Sequence, residues 1–325
     1  MRLLSVLLVI FTVCCSISGA KAGSVIERVK ARGVVRCGSA ERPGLASVGD
    51  QGRWVGLNVE VCRGIAAAVL GSADRIEYHE YETPKQFDAV RNQEDDVYFL
   101  TGSEIDAHKL AGKVVPGPTV FVETQAIMVS SNSPVHNVSD LAGDTICFMI
   151  GSFTERSINA YFDALHKNWL RMPYSEDGEM NDAYNVQRCR AIAGELTTLS
   201  ATRLDPGVNR LSSRFLPEHL SVFPVMAATG TNDAQWSAIV AWTVDTLISA
   251  ERPETRWYAG GTGAMPVAAP ELGLDKEWQR RVLAAVGNYS DIFERHLGKG
   301  SRLKLERGLN ANQARGGLLL SPFLE

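Results

Sequence analysis

Between Val34 and Leu100 the chain changes its hydrophobic period repeatedly. Val34-Val35-Arg36-Cys37-Gly38 is a short apolar run that ends at glycine, as a buried strand does. Val59 to Leu70 is rich in Ala, Val and Ile and reads as a helix. Arg75 to Tyr81 alternates polar and apolar residues, the two-residue period of a strand. Pro84 to Asn92 reads as a helix again, and Asp96 to Leu100 as another strand. A β-α-β-α order of this kind calls for crossover helices, and so for a parallel-rich α/β sheet. A short helix is expected over Ser24 to Arg32, with Ile26 and Val29 on one face. Ala40 to Gly52 carries Pro43-Gly44 and Asp50-Gln51-Gly52 and reads as a loop, with Trp54 to Leu57 leading onward. Thr119 to Ser130 is a long strand-like stretch, and Thr145 to Ile150 a buried strand before a helix that starts near Thr154. Leu220 to Ala228 is a second strand-like return. Helices follow over Ala234 to Glu251 and Glu277 to Val286.

The N-terminus has the layout of a secretory signal over residues 1–22. Arg2 precedes an apolar run from Leu3 to Val13, and Ala20-Lys21-Ala22 offers a cleavage site before Gly23. The run is too short to cross a bilayer, which needs about 20 apolar residues. Cys14 and Cys15 raise lipidation, but Val13 is a poor residue to precede a lipidated cysteine. The remaining ~300 residues suggest two lobes or domains. A hydrophobic fraction of 45% can fill their cores. The formal charge of −4, without a dense basic patch, argues against nucleic acid or an anionic membrane as partner.

Four further cysteines, Cys37, Cys62, Cys147 and Cys189, imply two disulfides in an exported chain, with three pairings open. None forms a C-x-x-C pair and His is sparse, so no zinc site is expected. Asp95-Asp96 reads as a loop end. Gly260-Gly261-Thr262-Gly263 lacks the Lys-Ser/Thr ending of a phosphate-binding loop, so no cofactor is implied.

Several blocks carry a resemblance. They are Val35-Arg36-Cys37-Gly38, the run from Gly56 to Gly71, the run from Val286 to Arg295, and the tail Gly308-Leu309-Asn310-Ala311 followed by Gly316-Gly317-Leu318. Together they resemble the periplasmic general L-amino-acid-binding proteins of polar-amino-acid ABC importers, solute-binding family 3. The resemblance covers nearly the whole mature chain. It implies a type II-like, two-lobed periplasmic binding protein with two hinge strands, near Glu123 to Met128 and Pro224 to Ala228. Residues 23–125 and 226–325 would form lobe 1, and residues 126–225 lobe 2. A disulfide between lobes would oppose closure, so the resemblance favours Cys37–Cys62 and Cys147–Cys189. It also implies a small-molecule solute and an ABC permease as partners, a periplasmic location and a monomer.

An amino acid's carboxylate suits a bidentate arginine and hydroxyl or N–H donors, and its ammonium suits a carboxylate. The family's first-lobe motif falls on Thr101-Gly102-Ser103, with its arginine position on His108 and an aromatic position on Glu104. A neutral imidazole cannot form the guanidinium fork, although Lys109 offers a point charge one residue on. The second-lobe helix start falls on Ser152-Phe153-Thr154, where the helix field adds to the donors. The ammonium-binding aspartate falls on Glu195, a nearby family aspartate after the cysteine becomes Arg190, and Leu45 stands where an aromatic often shields the ligand. The expected ligand set is therefore Thr101, Ser103, His108, Ser152, Thr154 and Glu195, holding an amino acid or a related zwitterion or organic acid. These departures leave two alternatives. One is a paralogue with a decayed pocket acting in sensing or partner binding. The other is a small-acid dehydratase-like enzyme using Glu104, His108 or Glu195.

Overall fold

The computed structural model describes residues 24–81, 86–102, 112–252 and 270–322. Its first helix, α1 (Val25–Arg32), begins with a capping box: the Glu27 amide donates to the Ser24 hydroxyl at 3.4 Å and the Ser24 amide to the Glu27 carboxylate at 3.2 Å. It stops at Gly33, whose left-handed φ of 81° suits a residue without Cβ. Strands β1 (Val35–Ser39), β4 (Ile76–Glu80) and β5 (Val97–Thr101) then run parallel, with β1 between the other two. Helices α2 (Leu57–Leu70) and α3 (Gln86–Arg91) are the crossovers that a parallel arrangement requires.

The stretch expected as loop contains β2 (Ser47–Val48), which forms a small hairpin with β3 (Trp54–Val55) just beyond it. Gly52, at φ 69°, lets the chain turn there, and Trp54 packs on Tyr78 with ring centroids 5.3 Å apart. Strands this short carry no readable period, so the sequence pattern shows only their turn residues.

After β6 (Val114–Val115) comes β7 (Thr119–Ser130), the long strand expected at those residues. A second α/β set follows: β8 (Thr145–Met149), α4 (Phe153–Ala164), β9 (Leu170–Tyr174), α5 (Asp177–Asn185), β10 (Ala191–Glu195), α6 (Leu196–Leu204) and β11 (Ser213–Phe215). Strand β12 (Ser221–Gly230) returns, and α7 (Ala234–Ser249), α8 (Trp278–Val286) and α9 (Tyr289–His296) complete the helices described here. The main sheet path is β4-β1-β5-β12-β7-β10-β8-β9.

Strands β7 and β12 pair antiparallel and carry the sheet from one parallel set to the other. Val225–Ala228 of β12 pairs with β5, whereas Gln125–Val129 of β7 pairs with β10. The hydrophobic core divides in the same way. A large cluster packs α2, α7, α8 and α9 around β1, with Trp236 and Trp278 fully buried. It also takes in Leu303, Leu305 and Leu319 from the C-terminal tail. Beyond β7 lie two smaller clusters. Ile127, Phe148, Ile158 and Phe162 belong to one, and Met128, Met180, Tyr184 and Ile192 to the other. The disulfides respect this division: Cys37–Cys62 ties β1 to α2, and Cys147–Cys189 ties β8 to the turn before β10. Both are the pairings that the resemblance favoured.

Candidate ligand-binding cleft

In α/β sheets the carboxyl ends of parallel strands are where backbone donors and helix N-termini converge. Here both parallel sets point those ends at a common gap. Arg42 follows the end of β1, Thr101 ends β5, Ser152 and Thr154 follow β8, and Glu195 ends β10. Arg42 is held by a tight turn in which its amide donates to the Ala46 carbonyl at 2.7 Å and the Ala46 amide returns to its own carbonyl at 2.9 Å. Gly44 in that turn has φ 76°, and a Cβ there would sit 2.6 Å from Leu297 Cδ2. Leu45 is fully buried in the large core, which fixes the base of the turn.

From this turn the Arg42 guanidinium reaches across the gap. Its Nη1 forms an ion pair with Glu195 Oε2, and its Nη2 donates to Thr101 Oγ1 at 3.2 Å. The side chains are 17% and 15% exposed, so the pair is largely shielded from water but still reachable. A charge-assisted pair in such a setting is stronger than one at the surface.

Behind Glu195 stands a second carboxylate, Glu123 of β7, with no exposed surface. It accepts from the Thr124 amide at 3.0 Å, the Thr197 amide at 3.4 Å and the Thr197 hydroxyl at 2.5 Å. Glu123 thus caps the N-terminus of α6 from a neighbouring strand. Burial, and then the negative charge of Glu195, push its carboxyl up to about 7.

The other wall is the start of α4. The Ser152 hydroxyl accepts from the Glu155 amide at 3.3 Å, an N-cap worth about 1 kcal/mol. The Thr154 hydroxyl gives its one proton to Gln125 Oε1 at 2.6 Å, so in this structure it is already spent as a donor. Phe153 packs edge-on against Phe223 of β12, centroids 5.3 Å apart. A cavity of about 340 Å³ lies here, lined by Gln125, Met149, Phe153, Asn181, Glu195 and Thr202 among others.

Of the six expected ligand residues, the structure brings Thr101 and Glu195 together through Arg42, and places Ser152 and Thr154 on the adjoining wall. Ser103 and His108 lie outside the described residues, as do Glu104 and Lys109. Arg190 points elsewhere, its Nε 3.7 Å from Asp144. Arg42, Glu123 and Gln125 were not foreseen. The available signal for Arg42 was its place, a cation just beyond the carboxyl end of the first strand and beside Pro43-Gly44. Glu123 was a lone charge inside an apolar strand.

Two α/β bodies joined by two long strands, with opposite charges meeting over the gap, define a two-lobed solute-binding protein. The comparisons agree. The chain is 30% identical over 322 residues to the general L-amino acid-binding periplasmic protein AapJ of Rhizobium johnstonii, covering 94% of each. It is 28% identical to the glutamate/glutamine/aspartate/asparagine-binding protein BztA of Rhodobacter capsulatus, covering 94% of this chain and 95% of that one. An ABC transporter/periplasmic binding protein from Brucella ovis, solved with glutathione bound, superposes with a TM-score of 0.74 at 29% identity, covering 91% of this chain and 98% of that chain. No protein-family model matches the chain. The chain belongs to the family of periplasmic amino-acid-binding proteins of ABC transporters.

Proposed function

We propose that this protein is the capture component of an ABC importer and binds a zwitterion bearing an α-ammonium and an α-carboxylate. The observation that carries the reading is the Arg42–Glu195 pair across the gap. A zwitterion can enter between the two charges, its carboxylate taking the guanidinium and its ammonium taking Glu195. Each protein charge exchanges one partner for another, so neither is left unpaired at low dielectric. Arg42 supplies the guanidinium that position 108 does not, which removes the main reason for reading the pocket as decayed. The substrates named for the relatives, general L-amino acids and the acidic and amide amino acids, share this head group, as does the glutamyl end of glutathione.

The two jaws are residues 23–125 with 226–325, and residues 126–225, hinged on β7 and β12. Ser103 and His108 are the further contacts expected from the first jaw by resemblance, while Ser152 and Thr154 sit at the α4 end of the second. After removal of residues 1–22 the protein acts in the periplasm as a monomer, and the closed form docks on the permease. Its role is binding rather than catalysis, with Glu195 serving as the ammonium seat.

Isothermal titration of the mature protein tests this against L-amino acids, glutathione, simple organic acids and simple amines. Saturable binding is expected only from ligands carrying both charges. If an organic acid or an amine alone bound as tightly as every zwitterion, the reading would fail.

A further inference from the structure

Behind the hinge lies a second cavity, of about 300 Å³. Successive residues of a strand face opposite sides. Along β7, Glu123 and Gln125 serve the cleft, so Val122 and Thr124 face the rear, where both line this cavity. Helix α6 is divided likewise. Thr198 and Thr202 line the front cavity, while Leu196 and Arg203, seven residues apart, line the rear one. The remaining rear wall comes from Phe215, His219 and the tail segment Lys304–Asn310.

The rear cavity holds donors that lack acceptors. Thr124 is only 3% exposed, and its hydroxyl oxygen has no hydrogen-bond partner. The Arg203 Nε is buried without a partner, and its guanidinium lies 4.8 Å over the Phe215 ring. Among the described residues no carboxylate pairs with Arg203, and burial pulls its pKa below the ordinary guanidinium value. Burial also holds His219 below the usual imidazole value. Lys304 adds a cation from a backbone held at φ 51°. Of the neighbouring polar groups, Arg307 keeps its buried Nη1 without a partner while its Nη2 is engaged, and Asn310 is engaged. Arg307 donates to Glu251 at 2.8 Å, and the Asn310 amide pairs with the Val122 N–H and carbonyl at 2.7 and 2.9 Å. Glu306, a carboxylate on the lining, is exposed and can turn into water.

A buried hydroxyl and a buried guanidinium nitrogen left unpaired cost stability, and a bound acceptor removes that cost. The groups on offer are donors and cations converging from both jaws. We propose that this rear cavity is a second binding site, for a small inorganic oxyanion of the phosphate or sulfate class. Arg203 supplies its charge and Thr124 donates a hydroxyl hydrogen bond. The site is separate from the amino-acid cleft, with β7 and α6 as the partition.

The test is isothermal titration of the mature protein with sodium phosphate and with sodium sulfate, at ionic strength matched with sodium chloride. Sodium acetate serves as a planar arm. Sulfate also stabilises proteins by exclusion from their surfaces, so the reading is saturable heat rather than melting temperature alone. Wild type should bind phosphate or sulfate saturably. Arg203→Gln and Thr124→Val, with their folds checked by near-ultraviolet circular dichroism, should each bind about tenfold more weakly or worse. Arg42→Gln, altered in the front cleft, should bind the anion as wild type does. The proposal is overturned if wild type shows no saturable binding, or if both rear variants bind unchanged. Loss of binding in Arg42→Gln alone would assign the anion to the front cleft and overturn it equally.

Discussion

Lobe 1 and lobe 2 share an α/β plan but are held together differently. Lobe 1 has one large core and a small second cluster of Val90, Tyr98, Leu100, Val114 and Ala228, and the seal of the large core is the chain's own tail. Glu251, with a side chain 1% exposed, binds Arg307 at 2.8 Å and the Asn312 amide at 3.0 Å. Arg307 is in turn stacked near Tyr289 and Phe293, 5.1 and 5.0 Å from their centroids. Lobe 2 has two small clusters in place of a large one, and no such tail. One of its clusters contains the Cys147–Cys189 bridge. The contrast shows how two bodies of similar topology can differ in what stabilises them. Each lobe holds one disulfide within a core, so the difference lies in core size and in the buried ion pair that locks the larger one.

The largest effect is expected at the lock of lobe 1. Arg307→Met leaves the buried Glu251 without its cation and should cost about 3–5 kcal/mol in urea unfolding. A loss under 1 kcal/mol would mean that the tail is not the seal. Next come the bridges. By loop closure alone, the sequence separations of 25 and 42 give about 3.5 kcal/mol for Cys37–Cys62 and about 4 kcal/mol for Cys147–Cys189. Paired serine variants should therefore differ little if only loop length matters. Should lobe 2 depend on its bridge as its thinner core suggests, the Cys147/Cys189 variant will show a separate, earlier unfolding step. A single shared transition in both variants would count against the contrast.

The lobes also meet the cleft with opposite charges, and that asymmetry can be probed. Arg42→Gln and Glu195→Gln each remove one end of the proposed zwitterion seat. Each should weaken ligand binding by about 2–5 kcal/mol, roughly 30- to several-thousand-fold. Equal affinity in either variant would show that the charges do not hold the ligand.

A smaller effect is expected from pH. Glu123, facing Glu195, Arg42 and Thr197, has its carboxyl raised from 4.5 to about 7. The folded chain therefore holds this proton more tightly than the unfolded chain. The corresponding stability is complete below about 4.5 and is lost as pH rises through about 7. Glu123→Gln should flatten that part of the melting-temperature profile, and an unchanged slope would assign it to other groups. The smallest effect contrasts two threonines. Thr197→Val takes a donor from Glu123 and should cost about 1–3 kcal/mol, whereas Thr124→Val removes an unpartnered hydroxyl and should be neutral or slightly stabilising in anion-free buffer. Thermal melts that ranked them in the opposite order would contradict the assignment of front and rear.

What the sequence makes legible follows from how local each feature is. Thr119–Ser130 is a twelve-residue strand whose length and β-branched content announce it, and it forms over those residues. The helix Ala234–Ser249 declares itself by Trp236, Ile239, Val240, Val244 and Leu247, all of which are buried. Glu195 is legible through its place in a family pattern. Arg42 is not, because nothing in Glu41-Arg42-Pro43-Gly44 records that residue 195 will arrive opposite it. That meeting depends on the course of β7 and β12 and on how the two bodies sit. Glu123 is intermediate: its oddness in an apolar strand is visible, but its partner Thr197 lies 74 residues away.

The large core is assembled from both ends of the chain, and this has a consequence in time. A chain that emerges N-terminus first presents β1, β4 and β5 early, but Leu303, Leu305 and Leu319, which close the same core, come last. Everything needed for the β8–β9–β10 set is out long before. The later jaw in sequence can thus be the first to finish folding, and the earlier one must wait with its apolar face uncovered. That wait lasts until the final hundred residues have emerged. During that interval the half-built lobe 1 is the part of the molecule most in need of a chaperone.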